Sequence, residues 1–338
     1  MPPRAHRLVF GVSIFFIASA AVAASAEVRD ARVAKGAATI FGQGTGNVTI
    51  YQSTDRAVID WRGFKIAGDE TLRLVQPNVS SVTLIRVAGG VAAAQIDGAI
   101  GATGGVFIVD RKGVFLGRSA RIRAGGFLAT THDTADRDFM KGRNNFALSG
   151  EPSASIVNLG NISASPGGYV ALVGAGVRNG GTIAAEHGSI AAAAATRFEL
   201  DVGGRNLVEL SSDERIANDV VDPDRPPLSI KVSGRITTLG ASNGTGGGTI
   251  RISGEDVALA GARLDASAQS AGDGGQIVIR GTGGSRIDGS LILADGAATG
   301  RGGFIETSGR SLALSHSSIG AKGSGRWLLD PVDLIVDR

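Results

Sequence analysis

The sequence predicts an all-β chain wound as a β-solenoid. Three observations carry that prediction: a repeat of 27 to 28 residues marked by paired glycines, short β-branched runs of period two, and a glycine-rich, aromatic-poor composition.

The repeat lies in the second half. GGGTIRISGEDVALAGARLDASAQSAG begins at Gly246, GGQIVIRGTGGSRIDGSLILADGAATG at Gly274 and GGFIETSGRSLALSHSSIGAKGSG at Gly302, so paired glycines fall at 247–248, 274–275 and 302–303. Each unit has room for about three short strands, Thr249–Ile252, Val257–Ala260 and Arg263–Ala266 in the first. One such coil cannot bury its own apolar residues, but coils stacked at a fixed period cover one another. Stacking should bring Ile250, Ile277 and Phe304 above one another, facing inward. The stretch from Gly180 to Ala195 is a weaker relative of the unit. A propeller would need longer strands and a period of about 40 residues or more. Glycine and aspartate are expected at the corners, where positive φ is common.

Composition agrees. The 338 residues include 52 glycines, about twice the usual share of roughly 7%. No Gly-X-Y period exists, which excludes collagen. Aromatics make up 5%, while alanine, valine and isoleucine are plentiful, so the core should be thin and built of small residues.

The first half supplies the period-two runs. Val48 and Ile50 flank Thr49, Leu72 and Leu74 flank Arg73, and Val82 and Leu84 flank Thr83. In QSTDRAVIDWRGFKI, from Gln52 to Ile66, alternation points Ala57, Ile59 and Trp61 to the core and Val58 and Asp60 to the other side. The charges around Trp61 then read as a solvated face. No long apolar stripe at helical spacing occurs after residue 26. Thr131 to Asn145 is the least strand-like segment and is expected to be an excursion. Three of the nine prolines fall between Val220 and Leu228, which reads as a loop interrupting the stack.

Residues 1–26 form a secretory signal pattern. Arg4 and Arg7 precede an apolar run from Leu8 to Ile17, and Ala24-Ser25-Ala26 is a small-x-small cleavage pattern, with cleavage expected near Ala26. Removing Arg4 and Arg7 takes the formal charge from +3 to +1. The remainder is nearly neutral and has no basic patch interleaved with aromatics, so a nucleic-acid partner is not expected. There is no cysteine, which excludes thiolate chemistry and suits a chain that must stay threadable in an oxidising compartment.

Chemistry-bearing motifs are sparse. His132, His187 and His316 are far apart and read as solvated corner residues, and no cofactor or metal set is expected. GDGGQIVI, from Gly272 to Ile279, has the flavour of a calcium roll, but that motif tiles every nine residues rather than 27 to 28. A β-helix polysaccharide lyase or glycoside hydrolase is the enzymatic alternative. It would draw on Asp256, Asp265, Asp288 and Asp295, which stand one per strand or corner without a local cluster.

The span from about Thr39 to Ala129 resembles the amino-terminal secretion domain of two-partner secretion (TPS) exoproteins, the filamentous-haemagglutinin family. The matching residues are QSTDRAVIDWRGFKI, QPNVSSVTLIRV (Gln76 to Val87) and VFIVDRKGVFLGRSARIRAGGFLATT (Val106 to Thr131). GRWLLDP, Gly325 to Pro331, resembles a segment often found beyond that domain. The resemblance implies a right-handed parallel β-helix with an amino-terminal cap, a secretion domain at 27–200 and further coils at 201–338. It also implies a secreted or surface-exposed non-enzymatic protein of a Gram-negative bacterium. The partner would be an outer-membrane β-barrel transporter whose POTRA domains capture the unfolded chain. Adhesion, with host-cell or surface glycans as ligands, would be the effect. By the same resemblance the transporter would read Gln76, Pro77 and Asn78 and the turn Asp110, Arg111, Lys112 and Gly113, with Trp61 structural. The family commonly has Asn-Pro-Asn-Gly at that turn. Here only the glycine is kept, and Asp at the first and Gly at the fourth position still suit a type I turn.

Overall fold

The computed structural model describes residues 30–89, 92–148, 154–202, 207–210, 228–241 and 244–337. The expected signal sequence lies outside the described residues, as does the proline-rich stretch from Val220 up to Leu228.

From Asn47 to Asp337 the chain winds as a parallel β-helix whose coils contribute strands to three faces. The first face starts with Asn47–Gln52, Thr71–Val75 and Ala99–Ala102 and continues through 121–124, 161–164, Thr182–Ala185, Arg235–Thr237, Arg263–Asp265, Leu291–Leu293 and Ser318–Gly320. The second starts with Arg56–Trp61, Val82–Val87 and Gly105–Asp110, and the third with Lys65–Ile66, Ala94–Ile96 and Val114–Leu116. All pairings between coils are parallel, each strand lying about 4.8 Å from the next. Two strands cap the amino-terminal end. Arg32–Lys35 runs antiparallel to Arg56–Trp61, and Ala38–Phe41 antiparallel to Asn47–Gln52.

The interior is a stack of aliphatic rungs running from Val48 to Leu314. Trp61 is buried among them, edge-on to Phe64 at 5.4 Å. Ile50, Ile59, Leu72 and Leu74 are buried where the alternation puts them.

The register corrects one rung. Ile250 pairs with Ile277, and Ile277 with Ile305, all three fully buried, whereas Phe304 lies over Gln276 and is half-exposed. The inward residue is the second one after each glycine pair, and an offset of one residue exchanges the faces of a strand. The expected strands Thr249–Ile252 and Val257–Ala260 are also one strand, Thr249–Ala260, with a register irregularity between Gly254 and Asp256, and the following strand ends at Asp265. The corner is rounded without a break in the extended backbone.

The paired glycines have a different cause from the one expected. A Cβ at Gly248 would stand 2.1 Å from the Gly188 carbonyl oxygen, one at Gly275 2.0 Å from that of Gly248, and one at Gly303 1.9 Å from that of Gly275. Those same carbonyls accept the amides of Thr249, Gln276 and Phe304 at 2.9, 2.9 and 3.0 Å. Close approach between coils, not positive φ, demands glycine in this column.

The outward side of the second face is not simply solvated. Val58, Leu84, Phe107, Val109, Leu128, Ala171 and Ala191 form a second buried cluster. Two excursions cover it. The first holds His132–Asp133, the helix Asp136–Met140 and Asn145–Leu148, where an excursion was expected. The second holds Arg197–Leu200 and Val208–Leu210, and together their strands make an antiparallel four-stranded sheet. Phe146 stacks on Phe198 at 4.9 Å and meets Phe107 edge-on at 6.2 Å. Val58 is therefore buried, because a second layer covers the face that alternation assigned to water.

Gly275→Ala should cost at least about 1–3 kcal/mol, since neither neighbouring backbone can move aside. Gly101→Ala, whose Cβ meets nothing within 4 Å, should be nearly neutral. Denaturant midpoints of the two purified variants check the contrast. Trp61→Ala should cost about 3–5 kcal/mol on the same assay and leave the product protease-sensitive.

Candidate recognition surface

The residues expected to meet a transporter occupy two corners. Asp110 to Gly113 turns the chain from the second face to the third. Val106–Val109 and Val114–Leu116 do not pair with each other; each pairs with the coils on either side. Asp110 ends its strand with 3% of its surface exposed. Its Oδ1 accepts the Lys112 amide at 2.9 Å, its Oδ2 accepts the Ala94 amide at 2.7 Å, and its carbonyl accepts the Gly113 amide at 2.9 Å. Burial pushes the carboxyl up from its usual range, against those two amide bonds. Gly113 has φ +111°, and a Cβ there would stand 2.6 Å from the Ser155 carbonyl oxygen. Arg111 and Lys112 are exposed at the tip.

The second corner, Gln76 to Ser81, joins the first face to the second. Gln76 is 5% exposed. Its Nε2 donates to the Gly105 carbonyl at 2.9 Å and to Thr83 Oγ1 at 3.0 Å, while its Oε1 accepts the Gly104 amide at 2.6 Å. Thr83 in turn donates to Gln52 Oε1, so three coils are tied through one buried amide chain. Asn78 folds back on its own turn, accepting the Ser80 amide at 2.9 Å, and its Nδ2 reaches Asp55 Oδ1 at 3.2 Å. Pro77, Asn78 and Val79 are exposed. The two corners thus lie on different edges of the helix. Asp110, Gly113 and Gln76 hold the architecture, whereas Arg111, Lys112, Pro77 and Asn78 form the outer surface.

The charges near Trp61 are organised rather than merely wet. Asp60 meets Arg32 of the cap at 3.1 Å and Arg86 of the next coil at 3.3 Å. Arg86 also meets Asp133 at 3.0 Å and Asp136 at 2.8 Å, and donates to the Thr134 carbonyl at 2.9 Å. Burial opposes its charge, but Asp133 and Asp136 outweigh that and hold the guanidinium above its ordinary value. Arg56 lies over the Phe139 ring at 4.7 Å and donates to the Phe139 carbonyl and to Asn144 Oδ1. Sequence reasoning missed this clasp because its partners are 26 to 88 residues away.

His187 and His316 do sit at corners, both at positive φ. His132 does not. It is fully buried beside Phe198, with Nε2 2.8 Å from the Ala195 carbonyl, where the two excursions leave the helix.

The four aspartates of the enzymatic alternative do not converge. Asp265 pairs with Arg263 on the first face. Asp288 accepts from Ser315 on the third face, where Asp256 also lies, and Asp295 accepts the Lys322 amide at a corner. Among the described residues no group of three or more metal-ligating side chains gathers.

The TPS secretion domain family matches residues 26–278. The chain belongs to the TPS secretion domain family. Two curated relatives from Haemophilus influenzae, both heme/hemopexin-binding proteins, are 39% identical over 101 residues and 33% identical over 127 residues, the second from strain ATCC 51907 / DSM 11121 / KW20 / Rd. The matches cover 28% and 36% of this chain and only 11% and 14% of those relatives. The HMW1 secretion domain from Haemophilus influenzae superposes with TM-score 0.70 over 89% of this chain and 73% of that one, at 24% identity, which shows the shared fold. As a TPS secretion domain the chain is part of a secreted exoprotein.

Burial lowers the His132 pKa to about 4. In the unfolded chain the imidazole gains its proton below about 6.5, so stability should fall as pH drops from there towards 4 and be flat, for this group, outside that window. The loss should be on the order of 3 kcal/mol. His132→Gln should remove most of that slope in pH-dependent denaturant unfolding.

Proposed function

We propose that this TPS domain directs the exoprotein, after cleavage near Ala26, to the POTRA domains of a partner outer-membrane barrel, and that the exported protein acts in surface attachment. The family match carries the reading, and the corner Asp110 to Gly113 gives it a candidate point of contact. Recognition of the unfolded chain draws on backbone edges through strand addition and on the side chains of the two corners. Arg111 and Lys112 meet an acidic patch of the transporter, and Pro77 and Asn78 add a second contact. Gln76 serves first as the buried tie between coils. Residues 27–200 form the part read by the transporter, and 201–338 extend the stack.

Co-expression with the cognate transporter tests this, with product measured in the medium against the periplasm. Arg111→Glu with Lys112→Glu should leave folding of the purified protein nearly unchanged, since exposed charges contribute little to stability, yet slow secretion. Gly113→Val should impair folding and secretion together, because φ +111° and the Ser155 carbonyl both exclude a branched side chain. Full secretion of the double-glutamate variant would leave the corner as structure only. Secretion of wild type without any partner barrel would overturn the two-partner reading.

A further inference from the structure

The edge that joins the third face to the first carries a hollow basic cleft. Gly160, Gly181 and Gly234 stack there. A Cβ at Gly181 would stand 2.1 Å from the Gly160 carbonyl oxygen, and one at Gly234 2.1 Å from that of Gly181. The stack demands glycine, and glycine leaves that column of the corner without side chains. The result is a cleft of about 440 Å³ lined by these glycines with Asn161, Thr182, Ser233, Arg235 and Arg263.

Cations outnumber carboxylates along the cleft, although Asp288, half-exposed, ends the third-face strand one coil above Gly261. Along the first face, register places Arg121, Asn161, Thr182, Arg235 and Arg263 in one outward column. On the third face Arg178 pairs with Lys231, each exposed, on the other side of the cleft. Arg121, Arg178, Lys231 and Arg235 have no carboxylate partner among the described residues. Arg263 pairs with Asp265 at 2.7 Å, and its buried Nε meets no acceptor among the described residues. Asp265 is the one carboxylate in these first-face strands from Arg121 to Asp265, and Asp97 sits at the lower corner against Gly117.

We propose that this cleft binds an acidic polysaccharide laid along the helix axis. Cations recur along the axis: Arg121 lies three coils, about 14 Å, below Arg235, and Arg263 one coil, about 4.8 Å, above it. That spacing serves an extended polyanion rather than a compact ion. Guanidinium groups take carboxylate or sulfate in paired hydrogen bonds, and the glycine floor lets a sugar ring approach the backbone. No aromatic side chain lines the cleft, so the stacking platform that single-stranded nucleic acid uses is missing. The inference rests on the surface-attachment reading above for its setting, but not on any transporter.

The purified protein, titrated with a sulfated chain (heparin), a purely carboxylated one (polygalacturonate) and a single-stranded oligodeoxynucleotide, decides it. At least one polysaccharide should bind and be released by salt. Heparin alone points to sulfated host-type chains, and polygalacturonate to carboxylated ones. Arg178→Ser, Lys231→Ser and Arg235→Ser together should weaken binding about tenfold or more with an unchanged unfolding midpoint. Lys35→Ser, Arg62→Ser and Lys141→Ser, which remove equal charge elsewhere, should stay within about twofold of wild type. Binding of neither polysaccharide, equal loss in both triple variants, full binding by the cleft variant, or tighter binding of the oligonucleotide would each overturn the proposal. These are measurements on purified protein, so they fail or succeed independently of secretion.

Discussion

Hydrogen bonds between successive coils set one distance, about 4.8 Å, for everything else in the molecule. At that spacing a residue in line with its counterparts has little room on the axis side of a tight corner. Hence the columns at Gly188, Gly248, Gly275 and Gly303 on one edge and at Gly160, Gly181 and Gly234 on another, where a Cβ would meet a carbonyl of the coil below. The same spacing lets polar side chains tie coils together from within. Asn158 donates to Asn179 at 2.7 Å, and Gln52, Thr83 and Gln76 join three coils, so buried amides are satisfied by neighbours one step along the axis.

The solenoid and its inward rungs were legible because both rest on periodicity. Glycine pairs fixed the coil length, and alternation fixed which of Ala57, Ile59 and Trp61 faced inward. Two kinds of information were not local. The rung over Ile277 required counting from the glycines, and Phe304, large and apolar, attracts an eye that weighs hydrophobicity before register. The buried outer side of Val58 required knowing that Phe139, Phe146 and Phe198 return over it. Nothing in a window around Val58 announces a partner more than 80 residues away.

The candidate surface divides in the same way. Gly113 was readable from turn chemistry alone, and its positive φ follows. Gln76 resembles a recognition residue by motif, yet geometry gives it a second task, because its amide is committed to Gly104, Gly105 and Thr83. A motif residue that is buried and fully bonded in the folded state can meet a transporter only before folding. On the proposed reading, that separates Gln76, open to contact only in the unfolded chain, from Arg111 and Lys112, which are exposed in the folded state as well.

The Arg86 clasp couples parts that would otherwise be separable. Arg32 belongs to the cap, Asp60 and Arg86 to successive coils, and Asp133 and Asp136 to the first excursion. Arg86 is largely buried, so its charge depends on those partners: removing one leaves a cation with fewer acceptors in a medium less polarisable than water. The excursions in turn cover the apolar outer side of the second face, and His132 holds their shared root through the Ala195 carbonyl. The cap, the first coils and the covering layer therefore form one cooperative unit. Beyond them, coils such as 249–265 and 276–293 depend mainly on the rung below. The chain thus combines an end held by long-range contacts with a stack that extends by local repetition.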